Sequence, residues 1–81
     1  MKVYILIETD SSDSNYAYTE VYKWKTDACE RLRSLYHEEA VERAESELIE
    51  GAWISDDHDE ATIMYAMSSI HWQVQEKEIN E

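Results

Sequence analysis

The segment from Ala28 to Glu50 is dense in Ala, Leu, Glu and Arg and contains no helix breaker, so it constrains the fold more than any other part of the chain. Its apolar positions, Ala28, Leu32, Leu35, Tyr36, Ala40, Val41, Ala44 and Leu48, recur at steps of three and four and form one stripe. A helix with one apolar stripe must lay it against another element. Thr26 or Asp27 starts this helix. Asp27 with Glu30 three residues on fits a capping box, in which each side chain satisfies an orphaned backbone donor. Gly51 is placed to end the helix in a left-handed cap.

The flanking segments read as strands. Lys2 to Glu8 is rich in β-branched and aromatic residues, with Val3, Ile5 and Ile7 on one face and Tyr4 and Leu6 on the other. Two apolar faces indicate a central strand. The cluster Asp10-Ser11-Ser12-Asp13-Ser14-Asn15 favours a turn, because these side chains bond nearby backbone groups. A second strand from about Tyr16 to Lys25 completes an antiparallel hairpin. After the helix, Trp53 and Ile54 form a short apolar anchor before the loop Ser55 to Glu60. A third strand runs from about Ala61 to Met67 with Ile63 and Tyr65 inward, although this segment also tolerates helix. Ser68-Ser69 turns the chain into a fourth strand, Ile70 to Ile79, with Ile70, Trp72 and Val74 on one face. The expected architecture is α+β: a single domain over residues 1–81, β-β-α-β-β, with a four-stranded antiparallel sheet and one long helix packed on one face.

Composition excludes several function classes. With one glycine and no proline, neither a P-loop nor a dinucleotide-binding fingerprint can be built, since both need several glycines where the backbone approaches phosphate. The single Cys29 forms no internal disulfide, whereas a secreted domain of this size is usually stapled by several. The start, Met1 to Glu8, is too short and too soon charged for a signal peptide, and no apolar run approaches the roughly 20 residues of a membrane span. These features lead to the expectation of a cytoplasmic protein, or one acting in a host cell. A chain of 81 residues has little core to spare for a catalytic cleft, which argues against an enzyme.

The formal charge of −12 is unevenly spread. Residues 38–60 hold Glu38, Glu39, Glu42, Glu45, Glu47, Glu50, Asp56, Asp57, Asp59 and Glu60 against Arg43 alone. Glu38, Glu42 and Glu45 fall on one side of the helix, where like charges repel by a few tenths of a kcal/mol per pair. Two readings of this block stand: a solvated, solubilising face, or a surface with a basic target. Carboxylates about 6 Å apart along a helix ridge come near the spacing of about 6–7 Å between phosphates on a nucleic-acid strand.

Other groups carry less chemistry. Asp56-Asp57-His58-Asp59-Glu60 offers oxygen ligands and an imidazole, but consecutive residues cannot all converge on one ion. Asp10, Ser12 and Ser14 alternate as in a calcium loop, yet Asn15 stands where the glycine is needed and Val21 where the bidentate acid is needed. No metal or other cofactor is therefore expected. Cys29 and His37 lie about 12 Å apart along the helix and cannot form a nucleophile–base pair. Cys29 reads as a small buried thiol, or as a thiol with a lowered pKa at the helix start. His71, beside Trp72, reads as a surface or edge residue.

All nine aromatic residues are Tyr or Trp, and Tyr16, Tyr18, Tyr22 and Trp24 share one face of the second strand. A stacking platform for single-stranded nucleic acid interleaves aromatics with Lys and Arg, which is absent here. If the helix covers the opposite sheet face, the row is exposed or pairs with a second copy; otherwise it packs in the core.

In size, acidity and strand-first layout, with the helix acids Glu38 to Glu50 and the loop acids Asp56 to Glu60, the chain resembles the small inhibitors encoded by phages and mobile elements, among them DNA-mimicking antirestriction and anti-CRISPR proteins. The resemblance implies a protein-binding inhibitor without catalytic activity. Its carboxylates would occupy Lys/Arg sites that hold phosphates on a nuclease or other nucleic-acid-binding protein. The alternative expectation is an accessory domain that self-associates as a homodimer.

Overall fold

The computed structural model describes residues 1–46 and 49–80. Its elements run β1 (Lys2–Asp10), β2 (Asp13–Tyr22), α1 (Lys25–Ser46), β3 (Ile49–Ile54), β4 (Glu60–Tyr65) and β5 (Ser68–Glu78). The strands form one antiparallel sheet in the order β2-β1-β5-β4-β3, and α1 touches all five of them from one side. The class is α+β with one helix on one face, but the sheet has five strands rather than four. Among the described residues no helix is long and apolar enough to cross a membrane.

The additional strand is β3. Glu50 and Gly51, read above as the end of the helix, belong to this strand instead: Gly51 pairs with β4, as do Trp53 and Ile54, and Glu50 sits at the bulge between Ile49 and Gly51. Helix ends at Ser46 and strand begins at Ile49; Glu47 and Leu48, the last acid and the last apolar residue assigned to the helix, lie outside the described residues. Ile49, Trp53 and Ile54 suit a pleated surface, and ladder bonds to β4 satisfy the backbone there. Gly51 has no left-handed backbone and caps nothing. It faces Met64 across the ladder, and a Cβ there would lie 3.0 Å from the Met64 Cε.

Three other boundaries move for physical reasons. The first hairpin turns more tightly than expected, because Asp10 Oδ1 accepts hydrogen bonds from Ser12 N at 2.9 Å and Ser12 Oγ at 2.8 Å, and β2 starts at Asp13. Helix α1 begins at Lys25, where Ala28 N donates to the Trp24 carbonyl at 3.3 Å. Asp27 is thus a first-turn acid facing the helix dipole rather than the cap of a box with Glu30. The last reversal falls at Ala66-Met67, not at Ser68-Ser69, which already belong to β5.

The core lies between α1 and one sheet face. Leu6, Leu32, Ala61, Ile63, Tyr65, Ile70 and Trp72 are buried together, with Tyr22, Leu35, Tyr36, Ala40, Ile49, Ile54 and Val74 packed against them. Ile63, Tyr65, Ile70, Trp72 and Val74 face inward as their alternation indicates. Val41, placed in the apolar stripe above, is 64% exposed, and Ala44 is also exposed, because the helix presents the line through Leu32, Tyr36 and Ala40 to the sheet.

Ala66 and Met67 have φ of 43° and 65°, the left-handed region at both centres of a two-residue hairpin turn. Neither residue favours it; the cost is on the order of 1 kcal/mol per residue. Replacing them with Asn and Gly (A66N/M67G) is expected to raise unfolding stability by about 1–2 kcal/mol, measured by thermal or urea denaturation. A loss of stability would show that the turn is of another type.

Candidate interaction surface

The acidic positions singled out in the sequence separate into two groups. Glu38, Glu39, Glu42 and Glu45 occupy the last turns of α1, starting about 20 Å along the axis from Lys25. Asp56 and Asp57 are exposed in the β3–β4 loop beside the opposite end of the helix. There, Asp57 and His58 share a cavity of about 480 Å³ with Lys25, Cys29, Glu30 and Arg33. Asp59 is half-buried and built into the loop: its Oδ1 accepts from Ser55 Oγ at 2.8 Å, and its own N–H donates to that oxygen at 3.1 Å. Glu60 opens β4 with its carboxylate 3.5 Å from His71 Nε2. Helix and loop acids therefore do not form one cluster.

The C-terminal acids of α1 instead meet carboxylates from other elements. Glu8 and Asp10 alternate with Leu6 along β1, so they emerge on the helix-covered side. With Asp13, Tyr16, Glu39 and Arg43 they line a cavity of about 390 Å³. Glu50 reaches the same end, its Oε1 lying 3.4 Å from the Met67 N–H. Glu8, Asp10, Asp13 and Glu39 thus line one cavity with Arg43, and Glu38, Glu42, Glu45 and Glu50 lie at the same end of the molecule, the eight coming from four elements. The other six bases, Lys2, Lys23, Lys25, Arg31, Arg33 and Lys77, lie in the opposite half of the molecule. The contributions of Glu8 and Asp10 escaped a reading by charge blocks. Their shared parity with the core residue Leu6 was the signal that could have revealed them.

Arg43 organises this acidic end. Its Nε donates to Glu39 Oε2 at 3.0 Å, and its guanidinium lies 3.7 Å from the centre of the Tyr65 ring. The Tyr65 hydroxyl donates to Asp10 Oδ2 at 3.2 Å. Burial raises the Asp10 pKa, but the bonds from Ser12 and Tyr65 and the nearby Arg43 outweigh it and hold the carboxyl below its ordinary value.

The aromatic row is not an open platform. Tyr16, Tyr18 and Tyr22 share the helix side of edge strand β2, where Tyr22 packs on the core. Trp24 lies past the end of β2, 62% exposed, with Lys23 Nζ 5.5 Å from its ring centre. The Tyr16 hydroxyl donates to Glu8, and those of Tyr18 and Tyr22 donate to Glu20. The bond to Glu8 pushes the Tyr16 pKa up to about 12. Glu20 also accepts from Arg31 Nε at 3.2 Å, and the bonds from Tyr18 and Tyr22 together with Arg31 hold its carboxyl below the usual range despite partial burial.

The remaining candidates are structural. Cys29 is buried, and burial pushes its thiol up although Lys25 pulls it down, so the alternative of a thiol with a lowered pKa at the helix start is disfavoured. His71 sits on β5, the middle strand, rather than at an edge; its Nδ1 lies 2.8 Å from Thr62 Oγ1. Among the described residues no three His, Cys, Asp or Glu side chains converge in a metal-binding arrangement. The chain matches no protein family, no curated protein and no solved structure.

Because the Glu20 pKa is lower in the folded chain, ionised Glu20 stabilises the fold above the unfolded carboxyl value of about 4.3, and that contribution is lost as pH falls through the folded value. Glu20→Gln is expected to cost about 1–2 kcal/mol at pH 7 and much less at pH 3, read as the difference in denaturation from the parent protein. An equal cost at both pH values would contradict an ionised Glu20 at this junction.

Proposed function

We propose that this chain is a non-catalytic binding protein whose acidic pole occupies a basic, nucleic-acid-binding surface on a partner protein. The observation that carries the reading is the polarity of the fold: eight carboxylates from four elements share one end with a single base, Arg43, while the other six bases lie in the opposite half. Such an arrangement projects a directed field, which speeds encounter with a basic surface and orients it. Asp13, Glu38, Glu42, Glu45 and Glu50 are exposed and form the contact side. Glu38, Glu42 and Glu45 succeed one another along α1 at steps of four and three, close to the spacing of successive phosphates. Glu8 and Asp10 are hydrogen-bonded within the fold and add to the field from behind. The non-catalytic part rests on side-chain states: the Cys29 thiol is buried with a raised pKa, and Tyr16, Tyr18 and Tyr22 are committed as donors to carboxylates. This is also the mode of action implied by the resemblance to small acidic phage inhibitors. The loop acids Asp56 and Asp57, at the far end, take no part in this contact.

The test is capture of a partner from host lysate by tagged chain, at low and high salt, followed by affinity measurement with the identified partner. The expected partner is a nuclease or other nucleic-acid-handling protein bound at low salt and released at high salt. E38Q/E42Q/E45Q should weaken the complex at least tenfold, about 1.4 kcal/mol, while D56N/D57N leaves it unchanged. Binding indifferent to the three helix substitutions would overturn the proposal.

A further inference from the structure

The sheet face away from α1 differs in kind from the rest of the surface. Val3, Ile5 and Ile7 of β1, Val21 of β2, Met64 of β4 and Trp53 of β3 all point to this side, since each alternates with, or pairs opposite, a residue of known side. Val21 is 65% exposed, Trp53 53% and Met64 49%. At the strand positions of this face, among the described residues, only Lys77 and Glu60 are charged. In a chain of formal charge −12, one whole face therefore has offsetting charges, with two apolar strips, Val21 with Val3, Ile5 and Ile7 and Trp53 with Met64, on either side of the uncharged Gln73 and Gln75 of β5.

The geometry points to a second copy of this chain as the occupant of the face, in a two-fold dimer packed sheet on sheet. Charge selects the occupant. Two copies of formal charge −12 repel overall, whereas at this face each can approach with its acidic end directed away from the contact. The two charges also complement each other under a two-fold operation. Lys77 pairs opposite Val3 and Glu60 opposite Gln73, so the two lie four residues apart along β5, about 14 Å, on neighbouring strands. A two-fold axis in the plane of the interface, crossing the strands along the row Val21-Ile5-Gln75, places Lys77 of each copy beside Glu60 of the other. The same axis sets Ile7 of one copy over Val3 of the other.

The size is sufficient. The Cα trace extends 46 × 26 × 16 Å, and a standard interface uses about 800 Å² per partner, roughly two-thirds of the broad face. The inference is independent of the acidic-pole reading. The two differ in their response to salt: screening weakens a complex of opposite charges but relieves repulsion between two like-charged copies.

The experiment is sedimentation velocity on the full chain over about 1–100 μM, at low and high salt, with far-UV circular dichroism as a fold control; a standard interface binds in or below this range. The expected result is twice the monomer mass, with association unchanged or tighter at high salt. Val21→Lys, at an exposed position on the axis, should weaken association at least tenfold without changing the dichroism. Lys77→Glu should also weaken it, and E60K/K77E should restore it. A monomer throughout the range, or a dimer indifferent to Val21→Lys, would overturn the inference and leave the face to a different partner. A dimer that the paired charge exchange fails to restore would overturn the two-fold arrangement.

Discussion

The bond from the Trp72 indole N–H to Glu8 Oε1, 2.6 Å long, is the interaction on which the rest of the structure depends. Trp72 is fully buried on the middle strand, with Ala61 beside it on β4 and Glu8 beside it on β1. The Tyr36 ring of α1 meets the indole edge-on, with centroids 6.2 Å apart. An indole can be buried only if its N–H finds an acceptor, and Glu8 supplies one from the neighbouring strand. Glu8 in turn cannot face the open side of the sheet. This commits the even-numbered residues of β1 to the helix, Leu6 to the core and Asp10 to the acidic end. Val3, Ile5 and Ile7 are left on the other side.

What could be read from the sequence follows the range over which each signal acts. The periods of β1, of Ala61 to Tyr65 and of Ile70 to Val74 are local, so their inward residues were evident from alternation. The body of α1 was evident from its composition. Strand β3 was not, because Glu50 continues the helical pattern and only pairing with β4 selects the extended form. The turn at Ala66-Met67 was hidden because neither residue favours a left-handed backbone; the strands on either side impose it. The acidic end was half legible. Glu38 to Glu45 form a run, but Glu8, Asp10 and Asp13 join them only through hairpin pairing and the choice of sheet face.

Few functional residues in such a small fold are free of structural duty. Glu20 supports Tyr18, Tyr22 and Arg31 along the edge beside α1, and Asp59 closes its own loop. Arg43, the lone base among the pole carboxylates, stacks on Tyr65 and pairs with Glu39. Counting acids in the sequence therefore overstates the number available to a partner. What distinguishes the molecule is the separation of its surfaces: an acidic end held together by Arg43 and Tyr65, and an uncovered sheet face with two charges of opposite sign.

The account turns on Trp72 being the pin that selects the covered face. The direct measurement is hydrogen exchange of the three indole N–H groups, resolved by NMR. Trp72, buried and bonded to Glu8, should exchange orders of magnitude more slowly than Trp24, and Glu8→Ala should remove most of that protection. A Trp72 N–H that exchanges as fast as that of Trp24 in the folded parent protein would contradict the account, because the helix would then cover some other part of the sheet.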